Sequence, residues 1–185
     1  MKNLKLTLAA VLCCLLTSTL FIGCVKNEDD DKTPAHGVVT FYLENTSDMM
    51  QYCDIEVTYG DGNEEPEKVV VSKENTLLDL SWGGTLVTRS LPSTVTFTRK
   101  ITAKPDAKIE EMKEFTYSLA YLYTSGVCNA AGSVIEQYPQ KTVGKEQTTS
   151  GATAAALIAE GKLNQTFTFT FDEKGKMTLK VDMAE

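Results

Sequence analysis

Thr166-Phe167-Thr168-Phe169-Thr170-Phe171 runs into Asp172-Glu173-Lys174-Gly175-Lys176 and then into Met177-Thr178-Leu179-Lys180-Val181-Asp182-Met183. Two runs in which every second residue is apolar, joined by five residues containing Asp and Gly, read as a β-hairpin. Strand side chains alternate between faces, so Phe167, Phe169 and Phe171 share one side and the threonines take the other. The same period recurs toward the front of the chain. Val39, Phe41 and Leu43 alternate with Thr40, Tyr42 and Glu44, and Cys53, Ile55, Val57 and Tyr59 alternate with Asp54, Glu56 and Thr58. Val95, Phe97 and Ile101 share a face that Arg99 interrupts, and Phe115, Tyr117, Leu119, Tyr121 and Tyr123 form a further run. One apolar face per strand implies antiparallel sheets with one side buried.

Turn chemistry separates these runs. Gly60-Asp61-Gly62-Asn63 follows one strand, Val69-Val70-Val71 after Pro66 reads as another, and Leu77 to Leu80 as a further candidate. The expected fold is an all-β antiparallel β-sandwich, Ig-like or transthyretin-like, of seven to eight strands over residues 37–185. The one helix expected is the Ala-rich stretch Thr153 to Glu160, closed by Gly161 and too short to be stable alone. A closed up-and-down barrel is the alternative, and the long Cys128–Asn164 connection argues against it. There is no internal repeat.

Composition bounds function. The 185 residues are 42% hydrophobic and 23% charged, which suits a globular chain with one core. A net charge of −7 disfavours nucleic acid, whose phosphates need clustered Lys and Arg. A single histidine, His36, leaves nothing for a His-based metal centre or a Ser-His-Asp triad. No cofactor is expected.

The front of the chain differs in kind. Lys2 and Lys5 precede an apolar run from Leu6 to Ile22, and no acid appears before Glu28. This is the layout of a secretory signal, short for a membrane-spanning helix. The run ends Leu20-Phe21-Ile22-Gly23-Cys24, which resembles the lipobox of bacterial lipoproteins, with Phe21 where Leu is usual. The resemblance implies cleavage before Cys24 and diacylglycerol on its sulfur, so residues 1–23 are the signal peptide and 24–36 a tether. Several acyl chains, at about 0.8 kcal/mol per buried CH₂, anchor stably. Val25 at the second position points by resemblance to the outer membrane. The run Glu28-Asp29-Asp30-Asp31 resembles the export signal of surface-exposed Bacteroidetes lipoproteins; on physical grounds alone it is a solvated tether. Removal of residues 1–23 takes away two lysines and lowers the net charge from −7 to −9.

The mature chain keeps Cys53 and Cys128 besides Cys24. In an oxidising compartment they are expected to pair, closing a loop of about 75 residues for about 4 kcal/mol; the alternative is two separate thiols, Cys53 filling core volume. Asp54 and Glu56 alternate as the acids of jelly-roll glycoside hydrolases do, but Thr58 stands where a third acid belongs, so solvent-face polarity explains them equally well. Asp61-Gly62-Asn63-Glu64-Glu65 offers oxygen ligands for calcium without the spacing of an EF-hand. Trp82, beside Gly83-Gly84, could contact a sugar or a protein, or anchor the core. Tyr117, Tyr121 and Tyr123 read as core rather than as a binding face.

The function expected is therefore a non-catalytic binding module, lipid-anchored at the outer membrane or cell surface, for a glycan or protein partner. Two alternatives stand beside it: a structural subunit or anchor of a surface assembly such as a fimbria, joined by strand addition, and a carboxylate-dependent hydrolase.

Overall fold

The computed structural model describes residues 32–62, 64–71, 85–87 and 90–183, and within them the alternating runs form two facing antiparallel sheets. The first sheet holds β1 (His36–Leu43), β4 (Thr85–Val87), β7 (Tyr121–Cys128) and β8 (Val134–Val143) in the order β4-β1-β7-β8. The second holds β2 (Cys53–Gly60), β3 (Glu67–Val70), β5 (Ser93–Ala103), β10 (Gln165–Phe171) and β11 (Met177–Met183) in the order β11-β10-β5-β2-β3. A two-stranded sheet pairs β6 (Phe115–Ser118) with β9 (Glu146–Thr149). The chain divides into two units, Met1–Lys32 and Thr33–Glu185. All the elements just named belong to the second.

The core sits between the two larger sheets and is aromatic. Phe41 of β1 lies 4.6 Å from Phe97 of β5 and 4.7 Å from Phe167 of β10, centroid to centroid. Tyr121 and Tyr123 of β7 meet Phe167 and Phe169 edge-on at 4.7 and 5.2 Å. All these rings are buried, as the period-two reading requires, and the tyrosines belong to the core. Burial of each such ring is worth about 2–3 kcal/mol, so this cluster fixes which face of every strand turns inward.

The run expected as one strand from Phe115 to Tyr123 is two. It bends at Leu119-Ala120, with β6 entering the small sheet and β7 the four-stranded one. Its partner bends in step: β8 pairs with β7, and β9 pairs with β6 after Gly144-Lys145. Gly144 makes the double bend possible. Its φ is +88°, and a Cβ there would lie 2.8 Å from the Ala120 Cα. Any other residue would be both strained and in collision.

The described residues thus contain eleven strands, more than the seven or eight expected. The extra ones come mainly from the Cys128–Asn164 stretch, expected as a long connection. β8 and β9 are largely solvent-exposed on both faces, so no apolar alternation betrays them. The candidate strand Leu77 to Leu80 lies outside the described residues. The expected helix is α2 (Gly151–Ala159), where the Ser150 hydroxyl accepts the Thr153 N–H at 3.3 Å and Gly161, at φ +71°, ends the element. It packs on a 3-10 turn (Ile109–Glu111) so closely that a Cβ on Gly151 would lie 2.5 Å from the Met112 carbonyl oxygen. A second helix, α1 (Ser47–Tyr52), is a single capped turn and a half and carries no periodic signal; Thr46 caps it by accepting from the Met49 N–H.

Candidate functional site

The sequence candidates scatter. Asp54 and Glu56 stand on the outer face of β2, and Glu56 is held by Lys68 of β3 at 2.5 Å. The register adds Lys100 opposite Glu56 and Thr102 opposite Asp54, so each acid faces a partner rather than another carboxylate across a cleft. Asp61, Gly62, Glu64 and Glu65 lie in the turn after β2, with Gly62 at φ +78° as such a turn demands, and Asn63 falls outside the described residues. Among the described residues no three His, Cys, Asp or Glu side chains come together as a metal site. Cys24, Glu28 to Asp31 and Trp82 lie outside the described residues.

Cys53 and Cys128 are not joined by a disulfide, and both are buried. The registers explain why. Cys53 sits opposite Ala103, at one end of β5. Cys128 sits opposite His36, whose neighbour Gly37 lies against the Phe171 ring, and Phe171 is opposite Ser93 at the other end of β5. Ser93 and Ala103 are ten residues apart along an extended strand, about 33 Å. A disulfide needs Cα atoms within about 7 Å. Burial pushes the Cys53 thiol up to about 11, against the pull of Lys104, so it is a poor nucleophile at neutral pH.

What the fold does assemble lies at the Ala103 end of β5. The ladder between β10 and β5 stops at the Gln165–Arg99 rung. Beyond it, Lys100, Ile101, Thr102 and Ala103 have β2 on one side and, among the described residues, no strand on the other. There the Ile101 N–H is taken by the Asn164 side-chain oxygen at 2.8 Å, which shows that the Ile101 and Ala103 backbone groups point away from β2. The space beside this edge is a trough of about 350 Å³. Ile101, Ile109 and Ile158 floor it, Ala155 and Ala159 of α2 form the far wall, and Lys100 and Glu110 stand at its rim. Small residues on α2 keep the trough open, because larger ones there would reach β5.

No family model, curated protein or solved structure matches this chain.

The end of the ladder is fixed by Arg99, a guanidinium with no solvent exposure on the inward face of β5. One terminal nitrogen donates to the Glu44 carbonyl at 3.1 Å, and the other to the Ser118 carbonyl at 3.0 Å and to the Gln165 side-chain oxygen. Gln165 in turn donates to the Leu119 carbonyl at 3.2 Å, and the Ser118 hydroxyl donates to a Glu44 carboxylate oxygen at 2.9 Å. Burial lowers the Arg99 pKa to about 10, and Glu44 opposes that fall. Arg99 therefore stays charged at neutral pH and ties the end of β1, β10 and the β6–β7 bend together. In the sequence it registers only as a break in an apolar face. The trough leaves still less trace, since its parts come from residues 100–103, 107–110 and 155–164.

Proposed function

We propose that this protein is a lipid-anchored, non-catalytic binding module of the outer membrane or cell surface, and that the trough beside β5 receives an extended segment of a protein partner. The observation that carries the reading is the strand edge of Ile101 to Ala103 facing an apolar trough walled by a helix. Recognition by β-strand addition needs those two parts: backbone groups aimed at an open side and pockets for alternate side chains. The lining by Ile109, Ile158 and Ala155 favours an apolar side chain there. Attachment through Cys24 rests on the lipobox resemblance, and among the described residues no helix is long and apolar enough to cross a membrane. The placement of Asp54 and Glu56 on the outer face of β2, with Glu56 tied to Lys68, favours a binding module over a hydrolase built on those two acids.

The test is a peptide array probed with the protein and with Ala155→Phe, which fills the trough. Binding of extended, apolar peptides that the substitution abolishes supports the reading. Binding only to a glycan array, unaffected by the substitution, overturns it in favour of a sugar ligand.

A further inference from the structure

Among the described residues four strands end the two larger sheets, and three of them are blunted in the way natural edges are. β3 and β4 span four and three residues. β8 contains Pro139 and breaks register against β7 at two places. β11 differs. Its seven residues pair with β10 without interruption from Met177 to Met183, and it contains neither Pro nor Gly.

The direction of its backbone groups follows from the hairpin. The Asp172 N–H donates to the Lys176 carbonyl at 3.1 Å, so in this ladder the even-numbered residues bond across to β10. The odd-numbered residues of β11, Leu179, Val181 and Met183 among them, then direct N–H and C=O outward. The side chains of those same residues lie on the core side, since Phe167 is opposite Val181 and Phe169 opposite Leu179. Inward residues on the interior strands are buried, but here cover is incomplete: Met183 is 41% exposed. Val143 of β8, 44% exposed, stands beside Tyr121, whose ring packs on Phe167, and so lies level with Val181 across the seam. An open strand edge and an open apolar strip run side by side.

We infer that this edge pairs with the β11 of a second copy of the chain, antiparallel about a two-fold axis at Val181. In that register Val181 faces itself and Leu179 faces Met183, and each outward residue exchanges a pair of N–H···O bonds with its opposite. On the other face Lys180 comes opposite Asp182 of the second copy, twice. Within one chain these two already form an ion pair at 2.9 Å. A shift of the axis by one residue sets Lys180 against Lys180, or Asp182 against Asp182, and both shifts juxtapose like charges. The charge pattern thus selects one self-complementary register. It joins two five-stranded sheets into one and continues the apolar strip from Leu179 and Val181 onto the partner's Met183. This inference does not depend on the trough.

Cysteine cross-linking of the full chain in its membrane tests it. Leu179→Cys and Met183→Cys, co-expressed and mildly oxidised, should give a disulfide-linked dimer, while neither alone should. Both sites are at the surface or half-buried, and Met183→Cys disturbs little packing. Adding Lys180→Asp to both chains should cut the cross-linked yield about tenfold, equivalent to about 1.4 kcal/mol, and adding Asp182→Lys as well should restore it. Equal cross-linking of each cysteine variant with itself would refute the register. No cross-linked dimer, or a charge swap without rescue, would overturn the pairing.

Discussion

Replacing Arg99 with methionine tests the account of the polar knot most sharply, because two opposing effects can be weighed. The guanidinium is costly: its fall from 12.5 to about 10 corresponds to about 3 kcal/mol of unfavourable burial. Methionine has a similar reach and no charge, so it recovers that cost. It also abandons the Glu44 and Ser118 carbonyls and the Gln165 side-chain oxygen, all accepting in a region with little water. Each buried acceptor left unpaired costs about 1–3 kcal/mol, or about 6 kcal/mol for the three. The expected balance is a net destabilisation of about 3 kcal/mol, which lowers Tm by roughly 6–12 °C in a domain of this size. Adding Gln165→Leu removes the stranded side-chain oxygen but strands the Leu119 carbonyl in its place, so the double variant should melt close to Arg99→Met. The measurement is calorimetric melting of the three proteins side by side. An Arg99→Met variant that melts at or above the parent would refute the reasoning, for it would mean that the carbonyls find other donors and that Arg99 holds nothing together.

A soluble form of the chain beginning at Val25 should show no thiol reactive with a disulfide reagent when native and two when unfolded, and reductant should not move its Tm. No labelled thiol after unfolding would restore the disulfide. The Cys53 thiol, raised from 9.0 to about 11, contributes stability that is complete below pH 9 and lost as pH rises through about 11; Cys53→Ala should flatten that alkaline limb. Cys24→Ala should release the protein from membranes while its circular dichroism stays unchanged, and retention after a carbonate wash would contradict the lipid anchor.

Legibility followed burial. Strands β2, β5, β10 and β11 are readable because each turns one face to the aromatic core, so a period of two is written in their residues. β8 and β9 bury almost nothing, and polar residues at both parities look like loop. The break between β6 and β7 is hidden for the opposite reason: Tyr117, Leu119, Tyr121 and Tyr123 keep their alternation across it, and only the buried Arg99 and Gly144 mark the bend. The cysteine expectation failed on a different point. Parity along a strand says which face a residue takes, not how far along the sheet it sits, and Cys53 and Cys128 occupy opposite ends. The trough asks more again, for it gathers three segments that only tertiary packing brings together.

The position of β1 has a mechanical side. The chain ahead of it enters at His36, at the same end as Phe171, whereas Met183 at the close of β11 lies at the Arg99 end. Tension applied between His36 and Met183 therefore runs parallel to the strands. Antiparallel hydrogen bonds are perpendicular to that direction, so the eight register pairs of β1 with β7 are strained together in shear instead of opening one after another. A domain threaded in this way resists pulling along its length far better than peeling from its side.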